Sequence, residues 1–295
     1  MITNKRIPIH YWFNKIKWEL LFVTLLSTSI YFISEYVIDI SLPLSIGVFL
    51  GSAIALLLSF KLSQSYDRWW EARKIWGSIV NDSRSLVIQL KNFTNNQDTS
   101  IIQKIGNRQI GWCYALSCSL RRQDPLKHSS PFIADLELKK LKHHKNIPLA
   151  IIDQHSEDIA NLHREGIIND YQQIQLDDTL VRLCESMGRA ERIKNTFFPK
   201  TYRLTLHVFI YIFLTLLSLS LTELHNFVEI PIEVIISIPF FLLEKIASQI
   251  QDPFENKPTD TPMTSISRTI ELNLKQLMDS GDLPEVKETN KFFVL

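Results

Sequence analysis

The chain has 295 residues, of which 45% are hydrophobic and 21% charged, and its 32 Lys+Arg against 31 Asp+Glu leave a formal net charge of +1. Such balance points neither to nucleic acid nor to a strongly charged surface. Three cysteines, Cys113, Cys118 and Cys184, lack both zinc-knuckle spacing and the even count of a secreted disulfide framework; they read as buried thiols in a reducing compartment.

Hydropathy is distributed unevenly along the chain. The basic, aromatic start carries no small-residue cleavage site, so no cleavable signal is expected. A first apolar run, Leu20 to Ile38, is broken only by Glu35 and is long enough to cross a hydrocarbon core of roughly 30 Å. Trp18 and Tyr36 flank it, as amphipathic rings do at headgroup depth. A second run, Leu42 to Phe60, has no charge until Lys61. The link from Asp39 to Ser41 is so short that the two helices should be antiparallel neighbours.

From about residue 61 to 200 the chain is polar but keeps apolar residues at helical spacing. Leu176, Leu180, Leu183, Met187 and Ala190 recur at steps of three or four, the stripe of a helix packed on one side. Asp124-Pro125, Ser130-Pro131 and Ile147-Pro148 divide this helical, soluble region. Its basic patch, Lys139 to Lys145, reads as an exposed loop or helix end, and without interleaved aromatics it implies no nucleic-acid partner.

A third apolar run covers Leu204 to Leu221 and a fourth Phe227 to Leu243, the latter kinked by Pro231 or Pro239. The tail from Gln251 is polar, with a Pro-rich turn from Pro253 to Pro262, one helix from Thr264 to Met278, and a disordered end. Charge asymmetry gives the orientation. The candidate outer loops, around Asp39 and from Thr222 to Ile230, contain no Lys or Arg, whereas Lys5, Arg6, Lys15, Lys17, Lys61, Arg68, Arg73 and Lys74 flank the other ends. Both termini and the middle region should therefore be cytoplasmic.

No catalytic constellation emerges. His143 and His144 are adjacent and point apart on a helix, and His155 and His163 lack metal-ligand spacing. A Gly-rich phosphate loop and a nucleophile elbow are both missing from the sequence. No enzyme activity, cofactor or metal is expected. Trp69 and Trp70, with Trp76 and Trp112, read as an anchor between membrane and soluble layers, and Asp67, Arg68, Glu71 and Arg73 as partners in ion pairs.

The second apolar helix is the most informative. Gly47, Gly51, Ala55 and Ser59 recur every fourth residue, a small-residue face suited to close helix packing in lipid. About a hundred degrees around lies a second row, Ser52, Leu56 and Phe60. If copies of this helix ring an axis, that row lines a narrow apolar constriction of the kind that gates ions by dewetting. The simpler alternative is a helix buried in a bundle, with Leu56 and Phe60 as ordinary core.

The run SFKLSQSYDRWWEARKIWGSIVNDSR, Ser59 to Arg84, resembles the signature of bacterial bestrophin homologues. GRAERIKNTFFPKTY, Gly188 to Tyr202, and LEKIASQIQDPFENKPTDTPM, at the end of the fourth helix, are similar to two further motifs of that family, in the same order. The resemblance implies an all-α membrane protein with four transmembrane helices and a cytoplasmic helical domain, a bestrophin-like pentamer around a central pore. It divides the chain into a cytoplasmic segment 1–18, helices within 19–62 with the pore helix at 43–60, a cytoplasmic domain 63–201, helices within 202–247 and a cytoplasmic tail 248–295. Aligned on Arg68, the family's neck falls on Ser52, Leu56 and Phe60; an ungapped alignment from Gly188 and Pro199 puts its cytoplasmic exit constriction near Tyr171.

The sequence also departs from the pattern. Ser52 is smaller than the usual neck residue, which implies a wider and wetter outer ring. Thr196-Phe197-Phe198-Pro199 keeps only the second proline of the family's motif. The stretch Glu255 to Asp260 is too poor in carboxylates for the calcium clasp of animal relatives. Lys245 and Gln249 replace acids common in the bacterial pattern.

The function expected is passive conduction in the bacterial inner membrane, with lipids, permeant ions and further copies of the chain as partners. Monovalent cations are favoured over anions, because Asp39, Glu223 and Glu229 lie in outer loops without basic neighbours. Alternatives are a chloride channel of the same fold, or a secondary transporter or scaffold. A transporter would show inverted repeats and ionisable residues near the bilayer centre.

Overall fold

A computed structural model describes residues 8–38, 42–94, 99–196, 199–222, 227–284 and 293–294. The architecture is all-α. Its helices are α1 (Ile9–Tyr36), α2 (Leu44–Phe93), α3 (Thr99–Leu120), α4 (Leu126–Ser129), α5 (Asp135–Leu141), α6 (Ile147–Arg164), α7 (Asp170–Asn195), α8 (Lys200–Leu221), α9 (Glu229–Ile250) and α10 (Met263–Leu277), with a 3-10 turn at Ser130–Phe132.

Local chemistry accounts for several of these boundaries. Asn169 accepts from the Gln172 backbone N–H while the Gln172 side chain accepts from that of Asn169, a reciprocal cap that starts α7. Asn146 caps α6 through the Leu149 N–H, with Pro148 in the first turn, where its missing donor costs nothing. No proline interrupts α2 over its 50 residues. At 1.5 Å per residue it runs about 75 Å, more than twice a hydrocarbon core of roughly 30 Å. The second helix therefore does not end at Phe60 with its apolar run, as expected, but continues through the polar sequence to Phe93. Helix α9 likewise passes through Pro239 without ending.

The chain divides into two compact units, one made of Trp70–Thr196 and Pro253–Leu295, the other of Asn4–Trp69 and Phe197–Asp252. The first division falls after Trp69, so that Lys61 and Ser65, both buried, belong to the apolar unit.

In the polar unit α3 is the central helix, with Trp112, Cys113, Ala115 and Leu116 buried. Around it pack α4, α6 and α10. Trp112 donates its indole N–H to the Pro148 carbonyl at 3.1 Å, and Trp76 is fully buried in the same core. These two tryptophans are interior residues of this unit, not an anchor between layers, since both are fully buried in its core. Burial pushes the Cys113 thiol up to about 12, while Cys184 is only half-buried.

A charge network crosses the same unit. Arg108, almost fully buried, donates to Glu137 at 2.5 and 3.2 Å and to the Gln154 carbonyl at 2.9 Å. It also pairs with Asp158 at 2.7 Å. Lys104 bridges Asp158 at 3.0 Å and Glu137 at 3.4 Å. His155 is fully buried nearby. Burial first, then the positive charges of Arg108 and Lys104, hold its imidazole well below the ordinary histidine range.

The apolar unit is built on α1, α8 and α9, whose buried side chains include Val23, Leu206, Ile210, Phe213, Leu214 and Phe241. Helix α1 packs on α9 and α8. Among the described residues α1, α2 and α8 are long and apolar enough to cross a membrane. Helix α9 carries Glu229, Glu233, Glu244 and Lys245 in 22 residues, too many charges to join them on composition.

His155 yields a test. Its folded-state affinity for protons is depressed, so the unfolded chain binds the extra proton, and stability present above the unfolded value of about 6.5 is lost as pH falls below it. The unfolding temperature of the detergent-solubilised protein should drop below pH 6.5, with a slope of up to about 1.4 kcal/mol per pH unit from this residue. In His155→Gln that component should vanish; an unchanged slope would dismiss the assignment.

Candidate functional site

On the membrane half of α2 the buried positions are Gly47, Gly51, Ile54, Leu58, Lys61 and Ser65. Gly47 and Gly51 press on α8: a methyl added at Gly47 would sit 3.3 Å from Leu217, and one at Gly51 would sit 3.0 Å from the Phe213 ring. Ala55 and Ser59 are exposed. Within the single chain, only Gly47 and Gly51 of the expected four-residue face pack on α8. Each step of four over-rotates by about 40°, so the row winds off the contact and the buried stripe passes to Ile54 and Leu58.

Ser52, Leu56 and Phe60 lie on the uncovered side. Leu56 is 58% and Phe60 56% exposed, and Val48 and Phe49 are exposed as well. The Ser52 hydroxyl donates to the Val48 carbonyl at 2.8 Å, which turns its hydrogen back to the helix. A single chain thus leaves a broad apolar face on α2 without cover, the kind of surface that marks contact with lipid or with other copies.

Directly after Phe60 the helix turns a charge inward. Lys61 donates to Glu244 of α9 at 2.9 Å and to Ser248 at 3.2 Å. Ser248 donates to the same carboxylate at 2.7 Å. His207 of α8 lies 3.0 Å from the other Glu244 oxygen, and Arg203 lies 3.6 Å from the first. Both Lys61 and Glu244 side chains are completely buried, so the pair is held by short, multiple contacts rather than by water. Sequence reasoning missed it. The signal was present: Lys61 and Glu244 are the first charges to close their respective apolar runs.

Other expected residues fall in different places. Tyr171 is 84% exposed at the start of α7, on a face shared with exposed Ile174 and Val181. Asp39 and Glu223 lie outside the described residues. Glu229, the first residue of α9, is 1% exposed and so is not a vestibule charge. Lys245 pairs with Glu19 at 2.5 Å, and Gln249 accepts from the Tyr11 hydroxyl at 3.4 Å. Arg68 donates to the Gln251 carbonyl at 3.0 Å, and Glu71 pairs with Arg192 at 3.1 Å. In the stretch from Glu255 to Asp260, Lys257 is paired with Glu255 and its backbone N–H donates to Asp260. Among the described residues no group of three or more His, Cys, Asp or Glu is placed to hold a metal ion.

Comparison with known proteins places this geometry. A family described as "Bacterial/Fungal Bestrophin protein" matches residues 12–276. The chain is 29% identical over 273 residues to the voltage-dependent anion channel-forming protein YneE of Escherichia coli K12, covering 92% of this chain and 89% of that one. It is 29% identical over 253 residues to the similarly named RSc3414 of Ralstonia nicotianae, covering 83% and 80%. Among solved structures, a bacterial bestrophin homologue from Klebsiella pneumoniae superposes with a TM-score of 0.86 at 27% identity, covering 90% of this chain and 100% of that one.

The buried pair beside Phe60 is open to mutation. Lys61→Met leaves Glu244 buried with one cation removed and should cost about 3–5 kcal/mol, read as a lower unfolding temperature. Adding Glu244→Leu should recover most of that loss. A single variant as stable as the parent would show that the pair carries no weight.

Proposed function

The chain belongs to the bacterial and fungal bestrophin family, whose members here are ion channels and not enzymes, and on that premise we propose that copies of it form a pentamer around a pore lined by α2. The observation that carries this reading is the uncovered apolar face bearing Leu56 and Phe60. Packed side by side, five such helices put rings of Ser52, Leu56 and Phe60 around water. The Leu56 and Phe60 rings form the barrier, since an apolar constriction conducts only when wetted. Ser52 widens the outer ring. Tyr171, with its exposed aromatic ring on α7, forms the second constriction at the cytoplasmic exit.

Four helices, α1, α2, α8 and α9, span the bacterial inner membrane in this reading, with both termini cytoplasmic. The buried pair Lys61–Glu244 and the half-buried pair Lys245–Glu19 support a place for α9 among the spans, because each neutralises its own charge.

Conduction is passive and of small monovalent ions, with cations preferred. That preference rests on Asp39 and Glu223, two carboxylates in outer loops without Lys or Arg; Glu229, being buried, adds nothing to it. The names of the curated relatives favour a second reading, an anion-selective pore of the same fold. Apolar rings alone discriminate little by sign, so the charges at the mouths decide.

Reversal potentials of the reconstituted protein in asymmetric potassium chloride separate the two: a shift toward the potassium potential supports cation preference, and one toward the chloride potential rejects it. In the same bilayers Leu56→Ala should raise single-channel current or open probability severalfold. A current equal to that of the parent would remove Leu56 from the neck.

A further inference from the structure

The Glu244 carboxylate serves more than the Lys61 pair. Its Oε1 accepts from the Lys61 ammonium of α2 at 2.9 Å and from the Ser248 hydroxyl at 2.7 Å. Its Oε2 faces Nε2 of His207 on α8 at 3.0 Å. The two oxygens of one side chain on α9 are thus turned to two different helices. Lys61 and Glu244 are completely buried, and the His207 side chain is 22% exposed.

The other titratable groups around His207 are paired, screened or neutral. Arg203, one turn earlier on α8, lies 3.6 Å from Glu244 Oε1 but is 53% exposed, so water screens its charge. Tyr211, one turn later, keeps its ring centroid 6.5 Å from that of His207 and meets Phe22 of α1 and Phe241 of α9. On the helices packed against α8, Lys245 of α9 and Glu19 of α1 neutralise each other at 2.5 Å. With the imidazole uncharged, the fully buried charges here are Lys61 and Glu244, and they cancel. Histidine is the side-chain type whose charge changes between about pH 5 and 8. A proton on this ring sets a second, mostly buried cation against a carboxylate whose single charge Lys61 already balances. Surplus charge in an apolar interior is costly. It acts as a repulsion between imidazolium and ammonium, that is, between α8 and α2.

We propose that His207 is a positioning residue for the neck, a proton sensor whose charged form repels Lys61 across the Glu244 carboxylate and loosens α2 beside Phe60. The effect on current rests on the pore reading; the loosening of α2 does not. The other attachment of this stretch, Gly47 and Gly51 against Leu217 and Phe213, is a dispersion contact that gains and loses no proton. Acid therefore frees only the end of the stretch next to the aromatic ring. In the pore reading that end of α8 is cytoplasmic, so the pH sensed is that of the cytoplasm, and acid relaxes the Phe60 ring and raises conduction.

The test uses the full-length protein in two assays. In planar bilayers the parent's mean current should rise about fivefold from pH 8 to pH 5.5 on the cytoplasmic side. His207→Gln, which cannot take the charge, should show no such rise, and His207→Arg, which always carries it, should conduct at pH 8 as the parent does at pH 5.5. In detergent, hydrogen exchange over residues 57–65, corrected for the intrinsic pH dependence of exchange, should be faster at pH 5.5 than at pH 8 in the parent and equal at the two in His207→Gln. If that variant does not purify, the comparison of parent with His207→Arg decides. A parent whose exchange in this segment ignores pH overturns the proposal, as does a pH response that persists in His207→Gln. A current that falls with acid overturns the assigned direction. Absence of current from parent and variants alike rejects the pore reading, and the exchange measurement then decides the sensor by itself.

Discussion

The rotation of α2 about its own axis is fixed by contacts along one side, and every functional statement about this chain depends on it. Gly47 and Gly51 let the backbone come within touching distance of Leu217 and Phe213 on α8; no larger residue fits there without displacing one of them. Three turns on, Lys61 reaches Glu244 and Ser248 on α9. A helix held at both places cannot turn. Leu56 and Phe60, between these contacts in sequence but on the other side of the helix, are therefore presented outward as a matter of geometry.

The manner of fixing differs at the two places. At the glycines the contact is dispersion between close surfaces, which works as well among lipid tails as in water. At Lys61 it is a buried ion pair, whose gross attraction is offset by desolvation and which specifies an arrangement more than it stabilises one. Lys61 is next to Phe60, so a slip of one residue would put an ammonium where the aromatic ring stands. Lys245 and Glu19 form a half-buried pair between α9 and α1. Charges at this end of the apolar unit are thus tied to particular neighbours.

The polar unit is governed by other rules. Its core is an ordinary apolar interior around Trp112, Trp76 and the buried face of α3, crossed by the Arg108, Glu137, Asp158 and Lys104 network. The exposed Tyr171, Ile174 and Val181 on α7 form a face that the chain by itself does not cover, so this unit, like α2, offers apolar surface beyond its own fold.

Much of this was legible from one-dimensional patterns. Runs such as Leu204 to Leu221 announce a spanning helix because a segment in lipid must satisfy its own backbone, the stripe from Leu176 to Ala190 announces a one-sided helix, and the bestrophin motifs in order announce the family. The row of Ser52, Leu56 and Phe60 could be read from spacing as lying on one side of the helix. What spacing could not give was which contacts occupy the other side: that Gly47 and Gly51 meet α8 while Ala55 and Ser59 do not, that Lys61 finds Glu244 far along the chain, that Trp76 and Trp112 are core, and that Glu229 is buried. Periodicity fixes positions around one helix axis and is local. The partner of a buried charge or a missing side chain is chosen by helices brought together from distant sequence, so only the tertiary structure decides it.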